Sequence, residues 1–258
     1  MTVTRAEAKL ASGTLHYTAL GEGRPLLYLH SAGGPIVSPF LQELAKTHRI
    51  FAPTAPGFDG TPVVDKVKGI PGLADFYAEF VQTVIGSACD VMGHSFGGWT
   101  ALWFAIRHPK LVEQLVLEAP AGLRFGMSAG PPPEPAEIRR MLYAHPDKAA
   151  ALMKPPEVGA ANMQAFARYH ENIQVDEELQ ARLPQIGGRT LIIMGTKEEL
   201  IPAKAAYVMK EKIPASHLSY VYDAAHSVET DQPENMLRLV KAFLERGDAF
   251  IVNFGDAA

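Results

Sequence analysis

The sequence predicts an α/β fold: a mostly parallel central sheet flanked by helices, with a small helical lid insertion. Three observations carry this expectation. Short apolar runs bounded by turn residues alternate with stretches of helical spacing. The alternation breaks after Leu117 and resumes at Thr190. One junction, from Ala88 to Ala105, reads as strand, sharp glycine-flanked turn and helix. With 258 residues, 47% hydrophobic and 20% charged, the chain can bury a sizeable core.

Taken in order, Gly13 to Leu20 alternates apolar and polar residues ahead of Gly21-Glu22-Gly23, and is expected to form an antiparallel edge hairpin leading into the sheet. The runs Leu26 to Leu29, Ile50 to Ala52, Ala88 to Met92, Leu111 to Leu117, Thr190 to Met194 and Leu218 to Tyr222 read as short buried strands. Helical spacing marks Leu73 to Ile85, Gly98 to Arg107, Ala203 to Lys212 and Pro233 to Arg246. From Gly122 to about Gln185 no strand is legible. The Pro-rich stretch Gly130 to Pro135 precedes helical pieces at Ile138 to Tyr143, Asp147 to Met153, Ala160 to Tyr169 and Asp176 to Leu183. The core is therefore assigned to 1–121 and 186–258 and a helical lid to 122–185, because so long a connection inside a compact domain usually carries function.

The charge balance excludes some partners. A net charge of -4 lacks the basic excess that neutralises phosphates or anionic lipid, so nucleic acid and membrane are disfavoured and a small-molecule substrate is expected. Cys89 is the only cysteine, which rules out an intrachain disulfide and a cysteine-built zinc site and agrees with a reducing, cytoplasmic location. Met1 to Glu7 is polar where a signal peptide would turn apolar, and no run approaches a membrane span. No coiled-coil pattern or interface stripe points to an oligomeric state.

The chemistry concentrates at Gly93-His94-Ser95-Phe96-Gly97. A serine on a strand-to-helix turn projects its Oγ into a cleft, and the backbone there passes too close to its neighbours to admit a side chain two residues before or after. Gly93 and Gly97 meet that demand. A serine hydroxyl needs a histidine to take its proton, and of the nine histidines His226 sits in a loop just after the last expected strand and before a closing helix. His30 and His94 read as structural hydrogen-bonding residues.

These blocks, in this order and over nearly the whole chain, resemble the α/β-hydrolase superfamily. The resemblance makes Ser95 the nucleophile and His226 the base, and implies an oxyanion hole built from the main-chain N–H groups of Ala32 and Phe96. In Leu29-His30-Ser31-Ala32-Gly33-Gly34, Ser31 stands where the family usually has glycine. The position the family fills with aspartate is occupied by Glu198, with Glu199 as a neighbour if the loop is shifted by one. Glu118, at the end of the Leu111 to Leu117 strand, is the alternative acid, since some members place it there; Glu198 is preferred. Gly33, Trp99 and Arg124 are candidates for substrate contact, Arg124 through a substrate carboxylate. A simple turn and a solvent-facing cation are the plainer roles of Gly33 and Arg124.

The parts together describe acyl transfer with no metal or organic cofactor. The preferred reading is hydrolysis of a small carboxylic ester or lactone through an acyl-enzyme on Ser95. The alternatives are a carbon-carbon bond hydrolase of meta-cleavage-type diketones using the same residues, and a slow or non-enzymatic ligand receptor on the same fold.

Overall fold

The computed structural model describes residues 3–126 and 134–251, so Gly130 to Pro133 of the Pro-rich stretch lie outside the described residues. Among the described residues eight strands form one sheet: β1 (Val3–Lys9), β2 (Thr14–Leu20), β3 (Arg24–Leu29), β4 (His48–Pro53), β5 (Cys89–His94), β6 (Val112–Glu118), β7 (Thr190–Gly195) and β8 (Ser216–Val221). Their order is β1-β2-β4-β3-β5-β6-β7-β8. β2 pairs antiparallel with β1 and β4, and every other pairing is parallel.

The start of the chain differs from expectation. The hairpin joins β1 to β2 across Leu10 and Gly13, not β2 to β3 across Gly21-Glu22-Gly23. The edge is β1, whose Thr-Arg-Ala-Glu-Ala-Lys run buries only Ala8 and so carries no apolar signature. β2 is interior to the sheet, with β4 on its other side.

The helices around the sheet are α1 (Pro39–Leu44), α2 (Gly69–Phe80) and α3 (Phe96–Arg107), then α4 (Pro135–Leu142), α5 (Pro146–Ala149), α6 (Pro156–His170) and α7 (Glu177–Arg182), and finally α8 (Ala203–Lys212), α9 (Val228–Asp231) and α10 (Pro233–Arg246). Alternate strand residues face opposite layers. Leu27, Leu29, Val91 and Leu117 pack with α2, α3 and α8, whereas Leu26, Tyr28, Met92 and Val116 pack with α1 and α10. With both faces covered, the central strands β3, β5, β6 and β7 carry mostly apolar runs, which is what made them legible. Between β6 and β7 the described residues form helices and no named strand, and a bridge from Leu123 to Val175 draws the two ends of that insertion together. Among the described residues no helix is long and apolar enough to cross a membrane.

The parallel register aligns the carboxyl ends of the central strands. Leu29 sits beside Gly93, His94 beside Glu118, and Glu118 beside Ile193. The loops after β3, β5, β6 and β7 therefore open at one rim, the end where open α/β sheets bind ligands.

Candidate active site

Ser95 occupies the tight turn between β5 and α3 with φ 54 and ψ -111, a conformation side-chain-bearing residues rarely adopt. Its N–H donates to the Glu118 carbonyl at 2.9 Å, and its own carbonyl accepts from Trp99 and Ala121 at 3.0 Å each, so neighbouring elements hold the strain in place. The flanking glycines are sterically required. A Cβ on Gly93 would lie 2.3 Å from the Gly97 carbonyl oxygen, and one on Gly97 would lie 2.0 Å from that of Leu29. Between Cys89 and Ile106, Ser95 is the one residue that is not buried.

The two backbone donors expected from the sequence are those of Phe96 and Ala32. Phe96 opens α3, so its N–H has no acceptor within the helix. Ala32 lies in the turn from Ser31 to Gly34, closed by Gly34 N–H on the Ser31 carbonyl at 2.9 Å. His30 grips that turn from beneath. Its Nδ1–H donates to the same Ser31 carbonyl at 2.7 Å, while its Nε2 accepts from Ala55 N–H at 3.0 Å. Burial lowers its pKa to about 4, so the ring is neutral, as this pairing needs. Because a trans peptide aims C=O and N–H in opposite directions, pinning the Ser31 carbonyl also fixes where the Ala32 N–H points.

His226 and Glu198 meet. His226 Nδ1–H donates to Glu198 Oε2 at 2.7 Å, with the two side chains 4% and 3% exposed. The other oxygen of Glu198 accepts from the N–H groups of Leu200 and Ile201 at 2.6 and 3.0 Å. Burial pushes the Glu198 carboxyl upward, but the imidazole and these donors outweigh it and hold the group below the ordinary glutamate value. Glu199 instead pairs with Arg140 at 2.8 Å in the insertion. The His226 ring lies 5.1 Å from that of His94, and His94 Nε2–H donates to the His226 carbonyl at 3.1 Å. The loop is thus fixed beside the elbow, and burial drives His94 well below the usual histidine range.

Glu118 takes another direction. It is fully buried, its Oε1 accepts from Glu229 N–H at 2.9 Å, and its Oε2 has no partner among the described residues. The structure therefore brings Glu198, not Glu118, onto the His226 imidazole.

The remaining candidates separate. Trp99 is 2% exposed, and its Nε1–H, like that of Trp103, donates to Asp176 Oδ2 at 2.8 Å. Facing Asp176 at the start of α7, it anchors the insertion to α3 rather than bordering open space. Gly33 is exposed, and its carbonyl accepts from Asn162 at 2.8 Å. Arg124 is half-buried, with a buried Nε that has no partner among the described residues.

Residues missed from sequence hold the insertion on the site. Buried Asp231 accepts from Ala225, Ala144 and His145 N–H at 2.8, 2.9 and 2.9 Å, joining the His226 loop to the junction of α4 and α5. Ser227 N–H adds a bond to the Leu142 carbonyl at 2.9 Å. An aspartate directly ahead of Glu177-Glu178-Leu179 marks Asp176 only as a cap, and nothing local marks Asp231.

A model described as the alpha/beta hydrolase family matches residues 17–239. The 2-hydroxymuconate semialdehyde hydrolase of Pseudomonas putida is 29% identical over 264 residues, covering 89% of this chain and 90% of its own. Pimeloyl-(acyl-carrier protein) methyl ester esterase of Aeromonas salmonicida is 24% identical over 253 residues, covering 87% and 96%. Among solved structures, a meta-cleavage product hydrolase from Pseudomonas fluorescens IP01 has a TM-score of 0.78 at 19% identity over 93% of this chain and 97% of that one, a likeness of fold. Hydrolase is common to these names and ester specificity is not.

Proposed function

The chain belongs to the alpha/beta hydrolase family and is a hydrolase, and within that family we propose that it cleaves a carbon-carbon bond in a 2-hydroxy-6-oxo-dienoate with Ser95 as nucleophile, His226 as base and Glu198 as its acid. The observation that carries the machinery is the 2.7 Å bond from His226 Nδ1–H to Glu198 beside a strained, half-exposed Ser95. The choice of bond rests on the relatives, among which names of the 2-hydroxy-6-oxo-dienoate hydrolase kind recur. It replaces the ester reading that the sequence alone favoured.

His226 takes the Ser95 proton as Oγ adds to the 6-oxo carbonyl, and the Ala32 and Phe96 N–H groups hold the oxyanion. Cleavage proceeds from the keto tautomer, formed when the 2-hydroxyl loses its proton and C5 gains one; when the C5–C6 bond breaks, its electron pair passes to C5 and spreads through C4 and C3 to the 2-oxo oxygen. His226 returns the proton to that fragment, and water then releases the carboxylic acid from Ser95. The step needs no metal or organic cofactor. The substrate's carboxylate calls for a cation, and Arg124 is offered for it, with the helices of 122–185 acting as the lid.

The test compares wild type and Ser95→Ala in three assays: labelling by a fluorophosphonate probe, loss of the visible absorbance of 2-hydroxymuconate semialdehyde, and release from p-nitrophenyl esters. The expected result is labelling at Ser95, turnover of the dienoate above the esters, and a loss of roughly 10⁴-fold or more in the variant. Turnover of esters alone restores the ester reading, and absence of labelling removes the activated serine and leaves a receptor.

A further inference from the structure

The turn that carries Ala32 is held by the insertion as well as by His30. Asn162 projects from α6 and is fully buried. Its Nδ2 donates to the Gly33 carbonyl and to Asp59 Oδ1, and its Oδ1 accepts from Asp59 N–H, all at 2.8 Å. Lys154, also in the insertion, closes the cluster with bonds of 2.6 Å to both Asp59 oxygens. The side chains crowd the turn so closely that a Cβ on Gly34, at φ +88, would lie 2.5 Å from Asn162 Nδ2 and 2.6 Å from Lys154 Nζ.

We propose that Asn162 is a positioning residue for the oxyanion donor at Ala32, so that the insertion completes the site rather than merely covering it. The inference rests on the serine-hydrolase reading above. His30 fixes the Ser31–Ala32 peptide plane, and Asn162 fixes the Gly33–Gly34 plane two peptides further on. Between two pinned planes the Ala32 N–H has little freedom to turn away from an oxyanion, and preorganised donors are what acyl-transfer sites depend on. Asn162 is fully buried, so losing its side chain removes the tie between the turn and α6.

Asn162→Ala is expected to lower kcat, and the rate of fluorophosphonate labelling at Ser95, by about ten- to a hundredfold while KM stays within about threefold, since the donor acts mainly in the transition state. Asn162→Leu keeps the bulk but cannot donate to Gly33; it is expected to show the same split, and a melting curve on each variant guards against one that fails to fold. Tyr169→Phe is the control. Its hydroxyl ties α6 to the Pro56 carbonyl at 2.9 Å without touching the turn, so it is expected to leave both rates near wild type. Equal losses from Tyr169→Phe and Asn162→Ala would reduce the effect to helix docking, and a folded Asn162→Ala labelled at the wild-type rate would end the proposal. A wild type that is not labelled at all would instead end the reading on which it rests.

Discussion

The neighbouring strands β6 and β7 each lead to a buried glutamate beside the His226 loop, and the two carboxyls are driven in opposite directions. Glu118 is 0% exposed and the Glu198 side chain 3%, so burial alone does not separate them. Glu198 has partners for both oxygens, one of them the imidazole, and is held in its charged form. Glu118 accepts backbone bonds on one side only, leaves Oε2 without a partner among the described residues and faces a second buried acid, Glu229; burial, then that like charge, raises it well above the ordinary value. Glu229 is itself raised to about 7 by burial, against hydrogen bonds from Tyr28 and Ser38. Donors and an opposite charge, not residue type or depth, decide which carboxyl can steady an imidazolium.

The sharpest way to break the comparison is Glu198→Gln. The amide cannot stabilise the His226 cation and offers an N–H where the imidazole needs an acceptor, so kcat is expected to fall by about 10³ to 10⁴. Steady-state turnover, with a melting curve to verify folding, checks this; retention of most activity would return Glu118 to contention. Glu198→Asp is gentler. It keeps the charge but retreats by one methylene from three donors fixed at 2.6 to 3.0 Å, and about a hundredfold loss in kcat is expected from that misplacement. A near-wild-type rate would mean that the loop follows the shorter side chain.

What the sequence disclosed follows the same division between local and distant causes. The strands were legible because helices cover both faces, and the strand-turn-helix at Ser95 because Gly93 and Gly97 leave no room for a side chain. β1 was not, since an edge strand burying only Ala8 has no apolar pattern. The tie from Trp99 to Asp176 was not legible, because nearness in sequence to Ser95 says nothing of which helix face points to Asp176. Asn162, Asp176 and Asp231 were unreadable as anchors: their partners lie on remote segments, and in Asn162 and Asp231 they are largely backbone groups that leave no trace in residue identity. Glu198 and Glu118 stood open together for that reason, each a polar residue after an apolar strand.

The smallest effect on catalysis is expected from Glu118→Gln, where the same change of chemistry meets the opposite environment. A protonated carboxyl and a carboxamide are close in shape and hydrogen-bonding capacity, so the introduced amide can still accept from Glu229 N–H, and kcat is expected to stay within about threefold of wild type. Stability should register the substitution instead. Above pH 4.5 the unfolded chain releases the Glu118 proton while the native state, with its raised value, retains it; the native state then binds more protons, and rising pH favours unfolding. The stability associated with the protonated carboxyl is full below pH 4.5 and is lost as pH climbs through the raised value. A glutamine side chain has no proton to lose. Urea unfolding at pH 5 and pH 8 should therefore show the variant gaining on wild type at the higher pH, and a constant offset at both would mean that Glu118 is ionised in the native state.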